Sequence, residues 1–366
     1  MKLLIQPGDG VTAILNGISR AKSSVDIAIF RFSHAGIEEA LTNAVKRGAL
    51  VRALIAHVNG SDAEGLRKLE MRLLAAGVTV ARTDTGLARY HAKYLIIDRQ
   101  ELFTLAFNYT HQDIDQSRSF GLVIKNRKLV QEAVKLFEAD MSRQPYKPGV
   151  PQFVVSPLNA RKQLSSFIKG AKSELLIYDP RISDPEVIRL VQDRVKANVA
   201  VRIIGRVSGK DAHLAVRHLG HLRLHTRSII RDGKALFVGS QSLRELELDG
   251  RRELGIICRD RSAVAAMLKV FEDDWAASEE STRAAEESRP VAKVAKKIAK
   301  AISKELPRVA PALDSALKEE AAGGGDVKVD GEEIEETVRE AVKDVVKTVV
   351  QQVIEQKLEV AGTPHE

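Results

Sequence analysis

The stretch from Tyr90 to Thr110 reads Y-H-A-K-Y-L-I-I-D-R-Q-E-L-F-T-L-A-F-N-Y-T and holds His91, Lys93 and Asp98 at the spacing H-x-K-x-x-x-x-D, with Asn108 ten residues past the aspartate. In an extended chain, His91 and Lys93 leave the same face because they are two residues apart. A neutral imidazole beside an ammonium group suits attack on a phosphodiester. The imidazole supplies the nucleophile and the cation holds the phosphate oxygens. A single short pattern of this kind is weak evidence, so its weight depends on whether the chain holds a partner for it.

The partner begins at Leu224, L-H-T-R-S-I-I-R-D-G-K-A-L-F-V-G-S-Q-S, where His225, Arg227 and Asp232 fall at the same spacing. The likeness extends well beyond these residues. Arg20–Phe30 resembles Gly170–Pro180, Val51–Ile55 resembles Val201–Gly205, and Gly121–Asn126 resembles Gly255–Asp260, in the same order. A repeat with one histidine per copy predicts two lobes related by a pseudo-two-fold axis, which brings both histidines to one cleft.

The paired motif resembles the phospholipase D superfamily in its two-lobed, single-chain form, over Met1 to about Trp275. The resemblance implies an α/β fold of two lobes, each a mixed sheet flanked by helices. It also implies a phosphodiester reaction through a covalent phosphohistidine, with no metal and no cofactor. Members act on phospholipids, nucleic acids or other phosphodiesters, so the family specifies chemistry better than substrate.

Catalysis of this type needs one histidine to attack phosphorus and one to protonate the leaving oxygen, and an imidazole near neutrality serves either task. His91, with the intact motif, is assigned as nucleophile and His225 as general acid and base; the reverse assignment fits nearly as well. Lys93 and Arg227 would clamp the non-bridging oxygens, arginine presenting a planar fork where the first copy has a point charge. By resemblance, Asn108 and Ser240 would hydrogen-bond the phosphate or its clamp, since Leu105–Asn108 and Gly239–Ser242 each keep part of a G-S-x-N element. Glu253 stands where the family places a carboxylate that orients a histidine, and its counterpart in the first copy is Ser119. His225 is thus expected to own a carboxylate, and His91 to lack one unless Asp113 or Asp115 supplies it. Asp98 and Asp232 are read as braces of the motif strand and its turn. His34, His57, His111, His213, His218, His221 and His365, outside the repeat, are read as surface or core residues.

The single cysteine, Cys258, excludes an internal disulfide and reads as a small core residue. The start of the chain is too short in apolar residues for a signal peptide, and no run has the apolar length of a membrane span, so a cytoplasmic setting is expected. The net charge of +8 divides unevenly: residues 276–366 carry 14 basic and 19 acidic residues, which leaves the body at +13. A basic body favours anionic substrates such as acidic phospholipid or nucleic acid. The 4% aromatic content weakens a stacking platform for single strands.

The elements needed to position the motifs follow from periodicity and breakers. Helices are predicted at Gly10–Arg20, Ala35–Arg47, Asp62–Ala76, Lys128–Met141, Asn159–Lys169, Asp184–Lys196, Asp211–Leu219 and Arg261–Trp275, alternating with strands that include Val25–Phe30, Val51–Ala56, Glu174–Tyr178 and Val199–Ile204. The organisation expected is a first lobe over 1–143, a Pro/Gly linker over 144–152, a second lobe over 153–276 and a charged, partly helical, partly flexible tail over 277–366. In the tail, 290–306 reads as a basic amphipathic helix suited to an anionic membrane or to docking on the core. The valine stripe of 334–358 needs a partner surface, either the core or another copy of the chain, and so allows self-association. Three functions fit these features: an enzyme acting on anionic phospholipid, a nuclease using the same site, and a binding protein built on a degenerate site.

Overall fold

In the computed structural model the described residues are 1–57, 63–208, 214–220 and 222–287. The segments 290–306 and 334–358 lie outside them, as do His213, His221 and His365. The chain divides into two units, Met1–Ala292 and Lys293–Glu366, and every described residue belongs to the first.

The first half runs β1 (Lys2–Gln6), α1 (Thr12–Arg20), β2 (Ser24–Ile29), α2 (Ala35–Lys46), β3 (Leu50–Ile55), α3 (Ala63–Ala75), β4 (Thr79–Arg82), β5 (Arg89–Tyr90), β6 (Tyr94–Ile97), β7 (Glu101–Leu105), α4 (His111–Asp115), β8 (Ser117–Ile124) and α5 (Arg127–Met141). The second runs β9 (Phe153–Ser156), α6 (Ala160–Lys169), β10 (Glu174–Ile182), α7 (Pro185–Lys196), β11 (Ala200–Val207), β12 (Ala215–Arg217), β13 (Arg223–Leu224), β14 (Arg227–Arg231), β15 (Ala235–Gly239), α8 (Glu245–Asp249), β16 (Arg251–Cys258) and α9 (Arg261–Glu287).

Each half builds a mixed sheet flanked by helices. The first has the order β1-β8-β7-β6-β2-β3-β4 and the second β12-β11-β10-β14-β15-β16, with β9 also paired to β16. Parallel pairs β2/β3 and β10/β11 arise from helical crossovers, and antiparallel pairs β6/β7 and β14/β15 from tight turns. The opening strands β1 and β9, each a short apolar run ahead of the first helix, escape the sequence reading. They add to β8 and β16.

The helix expected at Asp211–Leu219 is not one: 214–220 holds strand β12, parallel to β11. Its residues Ala-Val-Arg form the sheet edge, so tertiary pairing overrides the local helical pattern. The last helix also runs past Trp275, to Glu287.

Three apolar clusters hold these layers. One packs α1, α2 and α3 on the first sheet through Ile14, Ile18, Ile37, Leu41, Leu66 and Leu69. A second does the same for α6 and α7 through Leu164, Ile168, Val187 and Val191. The third joins strands of both sheets to α5 and α9, with Phe120, Phe137, Tyr178, Leu254 and Phe271 among its members.

The halves are interlocked by exchange. Strand β5 of the first half pairs in parallel with β16 of the second, and β13 of the second pairs in parallel with β8 of the first. Two ion pairs with buried carboxylates follow the same rule. Arg118 Nε donates to Asp274 Oδ2 on α9 at 2.7 Å, and Arg252 Nη2 donates to Asp140 Oδ1 on α5 at 3.1 Å. Removing one partner of such a pair leaves a buried charge at a cost of about 3–5 kcal/mol.

Candidate active site

The exchanged strands decide where the histidines go. His91 follows β5, and its backbone N–H continues the ladder to Arg252 O at 2.8 Å; His225 follows β13 and bonds Arg118 O at 3.0 Å. Each histidine therefore sits against the other half's strand, and both are nearly closed off from solvent.

Burial beside Glu253 settles the state of His91. Its Nδ1 lies 2.9–3.0 Å from the Glu253 carboxylate oxygens, which as acceptors assign the proton to Nδ1, and Lys93 Nζ stands 3.1 Å from Nδ1 and from Nε2 alike. The edge of His91 also packs on the Phe30 ring, centroids 4.5 Å apart. Burial, followed by the charges of Lys93, Arg227 and Arg251, holds His91 well below its usual range, so the imidazole is neutral at pH 7. With Nδ1–H engaged by the carboxylate, Nε2 carries the lone pair.

The carboxylate expected beside His225 thus serves His91 instead. Glu253 follows His225 closely in sequence, but β16 receives β5, and the neighbour it gains is the first half's histidine. The position related to Glu253, Ser119, donates its hydroxyl to the His225 carbonyl at 3.2 Å. The carboxylate near His225 is Asp113, from α4. Its Oδ2 is 3.3 Å from His225 Nδ1, near enough to attract a charge but off the alignment of a hydrogen bond. Asp113 is fixed by the Asn108 backbone N–H at 2.8 Å, by Asn108 Nδ2 at 2.7 Å and by Arg223 Nη1 at 2.7 Å. Burial lowers the pKa of His225 as well, but Asp113 is the next largest influence and raises it.

Lys93 is completely buried, and desolvation brings its ammonium down to a pKa of about 7, against the pull of Glu253. Arg227, whose charge also lowers the Lys93 pKa, has Nε and Nη1 buried and without a hydrogen-bond partner among the described residues. Asn108 and Ser240, expected to hydrogen-bond the phosphate or its clamp, bond to protein groups here. Asn108 is spent on Asp113, although its Oδ1 is unpartnered. Ser240 Oγ accepts from Leu254 N at 3.2 Å and donates to Leu254 O at 3.4 Å. Burial raises the Glu253 pKa, and Lys93, Arg251 and, less strongly, Ser240 and Arg227 oppose the rise.

Asp98 and Asp232 lie at the far ends of their motif strands, in the left-handed region at φ 51° and 54°. Asp232 Oδ1 accepts from the backbone N–H groups of Lys172, Ser173 and Glu174 at 2.8–3.1 Å, and Asp98 does the same for Lys22, Ser23 and Ser24. Partial burial raises the Asp232 pKa, but these bonds outweigh it and bring the carboxyl down to about 2. The sequence reading missed Phe30, Arg223 and the partnership of Asp113 with His225. Arg89 and Arg223 stand at equal distances before their histidines, a regularity that marks the exchanged strands.

Two interlocked lobes that bring paired H-x-K/R motifs into one centre define the phospholipase D superfamily. Residues 14–141 and 164–275 match the family model described as "Cardiolipin synthase, PLD-like domain", and the chain belongs to this family. Over 132 residues it is 30% identical to the mitochondrial cardiolipin hydrolase of Mus musculus, covering 35% of this chain and 56% of that protein. The chain spans about half the length of the curated relatives it matches. Among solved structures, a polyphosphate kinase from Porphyromonas gingivalis aligns with a TM-score of 0.62 at 18% identity, over 75% of this chain and 50% of that one. A phosphatidylserine synthase from Haemophilus influenzae Rd KW20 aligns at 0.58 and 11%, over 75% and 85%. These two likenesses concern the fold.

Proposed function

We propose that the protein is a metal-independent phosphodiesterase or phosphatidyltransferase that acts on anionic phospholipid through a covalent phosphohistidine. The observation that carries this reading is Arg227, half-buried, whose Nε and Nη1 are closed off from solvent without a hydrogen-bond partner among the described residues and whose charge is felt by both buried histidines and by Lys93. A phosphate there satisfies those donors and stabilises the ammonium.

In this reading the His91 Nε2 lone pair attacks phosphorus, forming the N–P bond as the P–O bond to the leaving alcohol breaks. The His225 imidazolium gives its proton to that oxygen. Water or a second alcohol then returns a proton to His225 and displaces His91 from phosphorus. Burial holds both histidines well below their usual range, and the roles are assigned from the largest charge beside each: Lys93 disfavours a proton on His91, whereas Asp113 favours one on His225. Arg227 and Lys93 neutralise the charge that gathers on the non-bridging oxygens.

The same proposal makes the protein cytoplasmic, peripheral at an anionic membrane through 290–306 and self-associating through 334–358, on sequence pattern alone. No described helix is long and apolar enough to cross a membrane. The test is turnover of phosphatidylglycerol vesicles and of labelled DNA in parallel, with chelator present and His91→Ala as control. Lipid turnover abolished in the variant supports the proposal. Cleavage of DNA alone replaces it with a nuclease, and silence on both leaves a binding protein.

A further inference from the structure

The second half-site differs from the first at three positions that the fold brings together. Arg227 stands where the first half has Lys93, and Ser242 where it has Asn108, each pair at equal distances after its histidine. The third position follows from the sheets. Strands β2 and β6 pair with Ala28 opposite Tyr94, and β10 and β14 pair with Tyr178 opposite Ser228. One residue further along each ladder, Ile29 meets Lys93 and Asp179 meets Arg227. Side chains opposite one another in an antiparallel pair leave the same face, with Cβ atoms about 4.5–5.5 Å apart. The arginine thus has an acidic neighbour where the lysine has an apolar one.

Asp179 is buried and held by three donors. Ser242 Oγ and the Arg181 N–H, the latter at 2.9 Å, donate to Oδ1, and the Leu243 N–H donates to Oδ2 at 2.7 Å. The change from Asn108 to Ser242 makes this possible. Asn108 gives its side chain to Asp113, whereas Ser242 leaves Glu247 to its backbone N–H at 2.6 Å and turns its hydroxyl to Asp179. Strand β11 makes room as well: Gly205, the Cα partner of Asp179, replaces Ile55, the partner of Ile29, and a Cβ at 205 would run into the Asp179 carbonyl oxygen. The charges that act on the carboxylate are Arg227 of β14 and Glu247 of α8. Burial raises its pKa to about 7, and the bonds from Ser242 and Leu243, then Arg227, oppose the rise. Lys93 and Arg227 repel one another, and a carboxylate held still beside the guanidinium offsets that repulsion. A guanidinium has five N–H donors in a rigid fork, so it can answer a carboxylate and still offer donors to a phosphate. An ammonium is a point charge that the carboxylate would draw away from the phosphate, and the lysine half has isoleucine there.

We propose that Asp179, fixed by Ser242, is a positioning residue that holds Arg227 for the phosphate, so that Asp179–Arg227 and Ile29–Lys93 are two matched versions of one clamp element. This inference rests on the reading of Lys93 and Arg227 as the phosphate clamp, and it makes the second half-site a rebuilt one, not a decayed one.

The test is calorimetric binding of sulfate, a phosphate-like anion that does not titrate near neutrality, to the full chain at pH 8 and pH 6. Wild type is compared with Asp179→Asn, which removes the charge and keeps the size, and with Ser242→Ala, Arg227→Lys and Asp179→Asn/Arg227→Lys. At pH 8 Asp179→Asn should weaken sulfate binding about tenfold and Arg227→Lys at least as much, while the double variant binds no more weakly than Arg227→Lys alone. Ser242→Ala, which removes only one tether of the carboxylate, should weaken binding about threefold. At pH 6, where Asp179 is itself largely neutral, wild type and Asp179→Asn should agree within about twofold, a convergence that lost packing would not produce. Tighter sulfate binding by Asp179→Asn at pH 8, the behaviour of an anion that merely repels the ligand, overturns the proposal, as do losses that multiply in the double variant. Binding that falls in Arg227→Lys but not in Asp179→Asn contradicts the role of Asp179 alone. Binding that Arg227→Lys leaves unchanged contradicts the clamp on which the inference rests.

Discussion

Replacing Lys93 by Met should make the protein inactive and more stable. The ammonium is completely buried, and desolvation takes its pKa from 10.5 to about 7. At roughly 1.4 kcal/mol per unit, holding that proton in the folded chain costs a ceiling of about 5 kcal/mol at and below neutrality. Methionine fills much the same space without the charge. Part of the gain is lost because Glu253 loses a neighbouring cation, so about 2 kcal/mol is expected. The sign follows from proton counts. The folded-state pKa lies below the unfolded one, so between pH 7 and 10.5 the unfolded chain binds more protons and wild-type stability rises with pH. The advantage of Lys93→Met should be largest at and below pH 7 and should fade as the pH approaches 10. Urea unfolding of both proteins at pH 6, 7, 8 and 9 reads this directly. A variant less stable than wild type at pH 7, or an advantage that does not change with pH, would refute the account of a strained clamp lysine.

Other perturbations separate the remaining groups. Glu253→Gln removes the charge that fixes the His91 tautomer and should lower turnover by about 100-fold, with fold retained by circular dichroism; activity within threefold of wild type would contradict its role. Asp113→Asn removes the group that raises the pKa of His225, so the alkaline limb of the pH profile of kcat should move to lower pH. A limb that stays in place would dissociate Asp113 from proton transfer. Asp232→Asn weakens the bonds to three backbone N–H groups and should cost about 1–2 kcal/mol at pH 7. Because the folded pKa is depressed, that stability is present above the usual aspartate range and is lost as the pH falls through about 2; denaturant titrations at pH 7 and pH 3 check both the size and the trend.

The repeat made the two-lobed α/β fold legible, because the strands and helices of each half recur in order around His91 and His225. The similar endings of the closing helices even mark Asp140 and Asp274, which receive the crossing arginines. What the sequence hid was the exchange. Strands β5 and β13 are two residues each and carry no periodicity, yet they carry His91 to Glu253 and His225 to Asp113. Proximity along the chain favoured the opposite pairing. Strand β12 was hidden for a related reason: Ala215–Arg217 becomes a strand only because β11 offers an edge. Asp113 was legible only as a carboxylate for His91, with Asp115 as the alternative, because Ser119 holds the position equivalent to Glu253 and the exchange that turns Asp113 to His225 leaves no periodic signal. The replacement comes from a one-turn helix whose cap, Thr110, accepts from the Asp113 N–H.

The most direct test of the central claim is to trap the intermediate. Full-length protein is mixed with phosphatidylglycerol labelled at phosphorus, quenched by denaturation, digested and mapped by mass spectrometry. The account predicts a phosphatidyl group on His91, absent from His91→Ala. Label on His225 with none on His91, or turnover that leaves no label on either histidine, would contradict it.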